Sequence, residues 1–270
     1  MLPEGVEVRQ MQETDLEAVL ALIEEIDEDD AEEAEYSYQS YGLDNQFVLT
    51  ENEQVIGVTG YREASGTDNT CWLSWTYLAT DRQGKGYGTQ ILDSLLEHLA
   101  SNGVRKVFVS TSDYQDEEDG DVYAAARKMY EGVGFRQEVR HPNYYEEGET
   151  QLIYGLRLIE ELDQKPVEED TSIVSLEGID EIDETEDAYF IDWKPKRMAL
   201  FGNKKQFDRR EVDEVIAHAR DCGARVLFVS FPSNMKTVVQ PLTMAGFFEE
   251  GRLRDYYRDG VDEVHYRMNF

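Results

Sequence analysis

Three glycines fall within five positions in Gln83-Gly84-Lys85-Gly86-Tyr87-Gly88, between a β-rich run and an apolar pattern of helical spacing. Glycine inside an element costs roughly 0.5–1 kcal/mol relative to alanine, so a bare backbone must serve something there. A strand that enters a glycine turn and then opens a helix presents several unpaired N–H groups to one point. The positive end of the helix dipole adds to them, and such a spot favours an anion, typically a phosphate. Gly84, Gly86 and Gly88 would let phosphate oxygens approach the backbone, with Lys85 or Arg82 supplying a charge. A plain tight turn accounts for the same residues. Neither the dinucleotide pattern G-x-G-x-x-G nor the P-loop ending Gly-Lys-Ser/Thr is met.

Other chemistries find less support. The acidic stretch 113–121 lacks an acid at the first ligand position of a calcium loop. Cys71 and Cys222 show neither metal-ligand nor redox spacing and read as small buried hydrophobes, so no metal site is expected. The chain carries 58 acidic against 26 basic residues, a formal charge of −32. That field repels nucleic acid and anionic lipid, which excludes both as partners. It suits either a cationic substrate or a solvated surface adapted to high salt, and its spread along the whole chain favours the second. No run approaches the roughly 18 apolar residues of a membrane span, and the first residues lack the basic start and apolar core of a signal peptide. A cytoplasmic protein is expected.

The elements that must hold the glycine turn follow from periodicity. Residues 6–11 alternate as a strand, and Thr14 with Glu17 reads as a capping box for a helix with Leu16, Val19, Leu20 and Ile23 on one face. The acidic stretch 27–46, with Tyr36, Tyr38 and Tyr41, reads as a solvated loop or helix face. Residues 47–63 read as a hairpin and 70–80 as a long strand that ends at the glycine turn. Ile91, Leu92, Leu95, Leu96 and Leu99 then form a helix face, followed by a strand at 105–112, a helix ending in "MYEGVGF" and strands at 136–141 and 150–158. The charged, aperiodic stretch 159–171 reads as a linker.

The second half echoes the first. "GVRKVFVSTS" (103–112) matches "GARVLFVSFP" (223–232) at five of ten positions, and 134–158 aligns without a gap with 246–270 at eight of 25. Duplication accounts for this better than chance likeness between two strand–helix–strand stretches, and a period above 100 residues means duplicated domains. Opposite the glycine turn the second half has "GNKKQFD" (202–208). Glycines dispensable in one copy are expected to serve a ligand rather than the architecture.

Gln83 to Gly88 resembles the (Gln/Arg)-x-x-Gly-x-(Gly/Ala) pyrophosphate motif of the GNAT family of N-acetyltransferases, and "MYEGVGF" (129–135) resembles that family's Tyr-x-x-x-Gly-Phe helix ending. The resemblance spans residues 6–158. Arg9 with Asp15-Leu16 is similar to the family's opening, and 47–61 to its β2–β3 hairpin. It implies an α/β GNAT fold, a mixed central sheet flanked by helices, duplicated so that the second copy is smaller and degenerate. The implied domains are a catalytic 1–158, a linker 159–171 and a copy 172–270 without the cofactor motif.

By the same resemblance acetyl-CoA is the co-substrate. Backbone atoms of Leu78 and Ala79 would pair with its pantetheine arm, and Gln83, Gly84, Lys85, Gly86, Tyr87, Gly88 and Thr89 would hold its pyrophosphate. Tyr130 stands at the family's general acid, where a phenol could protonate the departing thiolate; Leu242 is its counterpart in the second half. Tyr123 replaces the asparagine common seven residues earlier, and no residue is assigned as general base. Tyr36, Tyr38 and Asp113 are the candidates for cradling an amine of a small molecule or peptide, a cationic one if the charge selects the substrate, while an acidic surface everywhere accounts for the same residues. The alternative is a CoA-sensing or protein-binding module that has lost its catalytic step.

Overall fold

The computed structural model describes residues 3, 5–116, 120–160, 166–196 and 209–270. It begins with β1 (Val6–Gln10), α1 (Leu16–Glu24), α2 (Glu28–Tyr41), β2 (Gln46–Glu51), β3 (Gln54–Glu63), β4 (Thr70–Leu78) and α3 (Tyr87–Ser101). Then come β5 (Lys106–Ser112), a minimal hairpin of β6 (Gln115–Asp116) and β7 (Gly120–Asp121), α4 (Ala124–Gly132), β8 (Arg136–His141) and β9 (Gln151–Arg157). The remainder is β10 (Ile173–Glu181), β11 (Ala188–Lys196), α5 (Arg209–Asp221), β12 (Val226–Pro232), α6 (Val239–Ala245), β13 (Phe248–Arg258) and β14 (Val261–Asn269).

One mixed sheet runs β1-β2-β3-β4-β5-β9-β8 and a second β10-β11-β12-β14-β13. By contact density the chain forms two compact units: Met1–Val109 with Ala126–Arg136 and Leu156–Glu160, and Ser110–Ala125 with Gln137–Gly155 and Glu161–Phe270. The expected linker shows neither helix nor strand at 159–160 and 166–171, and its residues 161–165 lie outside the described ones.

In the first unit the apolar stripe of α3 is buried as its spacing predicts, at Ile91, Leu92, Leu95, Leu96 and Leu99. One local reading is corrected and another is decided. The entry to α1 is fixed by Asp15 rather than by a Thr14–Glu17 box: the Gln12 N–H donates to Asp15 Oδ2 at 2.8 Å, and Arg9 grips the same carboxylate at 2.6 and 2.8 Å. That fork holds the Asp15 carboxyl below the usual carboxylate range. The acidic stretch after it is a 14-residue helix capped by Asp27, which accepts from the Asp30 N–H at 3.1 Å. Ala31, Ala34 and Tyr38 bury one face of α2 against Val19, Ile23, Val48 and Val58.

Gly60 has a packing reason: a Cβ there would stand 1.9 Å from Gln46 Oε1 and 2.9 Å from the Asn45 carbonyl. Gly60→Ala is therefore expected to destabilise by about 1–3 kcal/mol in denaturant unfolding. Adding Gln46→Ala should restore only part of this, because the backbone carbonyl remains.

The second unit has its own core, with Val212, Ile216 and Ala219 of α5, Leu227, Val229 and Phe231 of β12, and Leu242 and Phe247 among its buried members. Within it β8 and β13 approach closely; a Cβ on Gly251 would lie 3.0 Å from Val139 Cγ1. Equivalent contacts recur at equivalent sequence positions. The Phe135 N–H donates to the Tyr130 carbonyl at 3.0 Å and the Phe247 N–H to the Leu242 carbonyl at 3.1 Å. Gly134 and Gly246 turn the two helix ends at φ +107° and +106°. Arg105 Nε donates to the Asp68 carbonyl and Arg225 Nε to the Glu186 carbonyl, each at 3.1 Å.

Candidate functional site

The strand preceding the glycine turn is irregular in a way that shapes everything after it. β4 pairs antiparallel with β3, but Val58 faces Tyr77 while Gly60 faces Ser74, so Trp75 and Thr76 together oppose Thr59. This is a β-bulge, which bends its strand and re-aims side chains. Trp75 takes φ +23°, a conformation that costs a bulky residue free energy. On its other side β4 pairs in parallel with β5 only at Thr70, Cys71 and Trp72.

β4 ends at Leu78, and a 3₁₀ turn over Thr80–Arg82 leads into the glycines. Gly84 and Gly86 have φ +70° and +84°, the left-handed region that favours glycine. Gly88 has no such φ; a Cβ there would lie 2.9 Å from Met129 Sδ of α4. Gly84 and Gly86 thus have a conformational reason to be glycine beside any ligand they serve, and a Cβ on Gly88 would have to displace the Met129 thioether. The counterpart 202–208 lies outside the described residues.

The turn nevertheless leaves an open, donor-rich face. A Cβ on Gly84 would meet no atom within 4 Å, and one on Gly86 only Gln90 Nε2 at 3.9 Å. Gly86 is the N-cap of α3 and brings no side chain to its first turn, so the N–H groups of Tyr87, Gly88 and Thr89 have no partner within the helix. Arg82 is committed to Glu51 at 2.8 Å and to Asp81, whereas Lys85 Nζ donates to the Asp81 carbonyl at 2.8 Å. Lys85 is therefore the better source of positive charge at the turn. Gln83 Nε2 donates to the Leu78 carbonyl at 3.1 Å, and the Ala79 N–H to the Ile56 carbonyl at 2.9 Å.

Tyr130 lies on α4, 6 % exposed, with its ring edge-to-face on Phe135 at 5.8 Å. Burial pushes its phenol up to about 12, and the Thr76 hydroxyl directed at it acts in the opposite sense. Thr76 Oγ1 is itself 3.0 Å from Thr59 Oγ1 and donates to the Ser74 carbonyl at 3.3 Å. The bulge thus supplies a polar neighbour to the phenol. Thr59, Ser74 and Thr76 carry no motif, and only the strand register reveals them.

The acceptor candidates differ in their surroundings. Tyr36 is 72 % exposed on α2, while Tyr38 on the same helix is 4 % exposed in the core. Among the described residues its hydroxyl has no hydrogen-bond partner, and burial raises its phenol well above the usual range. Asp113, in the second unit, is engaged structurally: Oδ1 accepts from the Thr150 N–H at 2.8 Å and Oδ2 from Arg140 at 3.1 Å. Cys71 is buried, with its thiol pushed up to about 12 by desolvation, and Cys222 is free and exposed. Among the described residues no group of three or more His, Cys, Asp or Glu is placed to hold a metal ion, and no helix is long and apolar enough to cross a membrane.

Comparison with known proteins places this geometry. Residues 8–135 match the model of the acetyltransferase (GNAT) family. A solved structure from Desulfovibrio desulfuricans, described as an acetyltransferase of the GNAT family, is 25 % identical with a TM-score of 0.50, over 57 % of this chain and 99 % of that one. An acetyltransferase structure from Salmonella typhimurium, described with its cofactor acetyl-CoA, is 18 % identical over 61 % of this chain and 100 % of that one, with a TM-score of 0.45. The ribosomal-protein-S18-alanine N-acetyltransferase from Escherichia coli is 20 % identical over 60 % and 99 %, with a TM-score of 0.47. No curated protein matches the chain. With its mixed sheet, its glycine turn opening α3 and the family match over the same residues, the chain carries an acetyltransferase domain of the GNAT family at 8–135.

Proposed function

We propose that this protein transfers an acetyl group directly from acetyl-CoA to an amine of a small molecule or peptide. The observation that carries this is the turn at Gly84–Gly88, an open cluster of N–H donors at the start of α3 and immediately after the bulged strand β4. Such a cluster suits the pyrophosphate of a CoA thioester. The Tyr87, Gly88 and Thr89 N–H groups would hold it, with Lys85 adding charge and the backbone near Leu78 and Ala79 the pantetheine arm. In that reading the Ala79 N–H keeps its bond to Ile56, and the Gln83 amide swings off the Leu78 carbonyl.

Attack by a neutral amine on the thioester carbonyl forms the C–N bond, breaks the C–S bond and expels a thiolate that needs a proton, while the proton the amine nitrogen gives up passes to solvent and from there restores the acid. The buried phenol of Tyr130 is the donor in this reading, and Thr76 then turns its hydroxyl proton toward the phenolate oxygen. A phenol held protonated by burial is a reliable donor at any ordinary pH, at the cost of a harder transfer.

The catalytic domain in this proposal is 1–158, joined by 159–171 to a degenerate copy at 172–270. The matched helix ends at Gly134 and Gly246, the matched arginines and the two parallel pairings support duplication. β4 meets β5 over three residue pairs, and β11 meets β12 over three. The copy has Leu242 where the acid would be.

Titration calorimetry of acetyl-CoA into the full chain, at low and high salt, followed by a thiol-release assay over a panel of amines, tests the proposal. One site per chain and turnover with an amine are expected. Binding without turnover on any amine would replace the enzyme with a CoA-sensing module, and absence of binding would overturn both.

A further inference from the structure

The second unit holds a chain of buried and partly buried titratable groups that acetyl transfer does not use, with the side chains of Glu250, Glu263 and His265 9 %, 13 % and 17 % exposed. His141, at the end of β8, is 2 % exposed. Its Nδ1 meets Glu250 Oε2, and its Nε2 lies 2.9 Å from His265 Nδ1 on β14. His265 Nε2 in turn lies 3.1 Å from Glu263 Oε2. Glu250 is the extra residue of a bulge in β13, between Glu249 opposite Tyr266 and Gly251 opposite His265, which aims it out of the ladder. The two imidazole rings are 10° from parallel with centroids 5.0 Å apart. With nitrogens at 2.9 Å, they lie edge to edge in nearly one plane, as a shared hydrogen bond requires.

The remaining neighbours set the charges. Arg267, itself buried, donates to Glu250 Oε1 at 2.9 Å and to the Pro142 carbonyl, which marks Glu250 as a carboxylate. Glu263 Oε1 accepts from Ser230 Oγ at 3.0 Å and from the Tyr257 hydroxyl at 3.2 Å. Tyr144 and Phe228 close the apolar sides of His141.

Protons can now be counted. Three hydrogen bonds in the line Glu250–His141–His265–Glu263 need three protons, one in each gap. Two carboxylates and two neutral imidazoles supply only two. If Nδ1 of His141 donates to Glu250, its Nε2 is a bare acceptor and must receive the Nδ1 proton of His265. The gap to Glu263 is then filled only when His265 carries a second proton. With that proton the two carboxylates are balanced by Arg267 and one imidazolium, so the buried group is electrically neutral. A neutral total is what a low-dielectric interior tolerates best.

We propose that His141, His265, Glu250 and Glu263 form a site for exactly one added proton, which pins the end of β8 to β13 and β14 and makes the packing of the second unit depend on pH from both sides. Removing the proton leaves an imidazole lone pair facing the Glu263 carboxylate. Adding another puts N–H against N–H between the rings. Burial holds the His141 imidazole below its ordinary value, so its contribution is lost as pH falls through about 6.5 and below, where the unfolded chain takes up the proton first. Loss of the proton beside Glu263 removes the third hydrogen bond of the line.

Imidazole ¹⁵N labelling of the full chain tests this, because only four histidines are present. Two-bond ¹H–¹⁵N spectra report the protonation of each ring, and His98→Gln and His218→Gln variants assign the other two. At pH 7 His141 is expected neutral with its proton on Nδ1, and His265 doubly protonated. Glu263→Gln should abolish the doubly protonated pattern, because the amide N–H of Gln fills the third gap. Two neutral imidazoles in the unmodified protein at pH 7 would overturn the proposal, and that measurement needs no variant to fold. So would a Glu263→Gln protein in which His265 keeps both protons.

Discussion

Tyr130→Phe should lower kcat by about 10²- to 10⁴-fold, the usual contribution of a positioned general acid, with little change in the affinity for acetyl-CoA. Phenylalanine keeps the edge-to-face contact with Phe135 and the volume buried on α4, and only the hydroxyl facing Thr76 is lost. A loss of kcat without a loss of binding is therefore the signature of chemistry rather than of folding. The pH dependence carries a second check. A general acid must be protonated to act, so rate is lost as pH rises through its pKa. With the phenol at about 12, no decline from this group is expected between neutral pH and about pH 10. A variant with unchanged kcat, measured by thiol release, would remove Tyr130 from the mechanism.

Gly86→Val is expected to weaken acetyl-CoA binding at least about tenfold, or about 1.4 kcal/mol. The φ of +84° at Gly86 strains any L side chain, by about 1–2 kcal/mol, so weaker binding alone would be ambiguous. Gly223 supplies the control. It has the same φ of +84° and equally open surroundings, and it lies beyond α5 in the second unit. Gly86→Val and Gly223→Val should lower unfolding stability by similar amounts, whereas calorimetry should register a loss of acetyl-CoA affinity for Gly86→Val only. Equal affinities in the two variants would mean that the turn is architecture and not a cradle.

Much of the first half was legible because its signals are local. A glycine turn, an apolar stripe at helical spacing and a two-strand hairpin are each written within about 15 residues, and each stands where it was expected. The failures are informative. "TCWLSWTYLAT" reads as an uninterrupted β run, since every residue in it fits a strand, yet the register slips at Trp75 and Thr76. A bulge is decided by the partner strand, here by Thr59, and leaves no mark on its own stretch of sequence. For the acid-rich α2 the sequence left loop and helix face both open, because its charges obscured the buried spacing of Ala31, Ala34 and Tyr38. Thr14–Glu17 fits a capping box by pattern, but Arg9 on the preceding strand makes Asp15 the better partner, since a guanidinium fork on a carboxylate outweighs a lone hydroxyl. Tyr130 was found only through a family resemblance, and the His141–His265 pair joins residues 124 positions apart. No local pattern reaches that far.

The contact of Val139 with Gly251 has a consequence for dilution. In the duplication proposed above these residues are each other's counterparts, 112 positions apart, and a Cβ on Gly251 would lie 3.0 Å from Val139 Cγ1. Two separate chains sharing such a surface would part as their concentration fell. Here one continuous backbone carries both surfaces, so the encounter is intramolecular and does not depend on protein concentration. The contact of β8 with β13 is accordingly as secure in a nanomolar assay as in a concentrated cell, and specific activity should not fall with protein concentration through any loosening there.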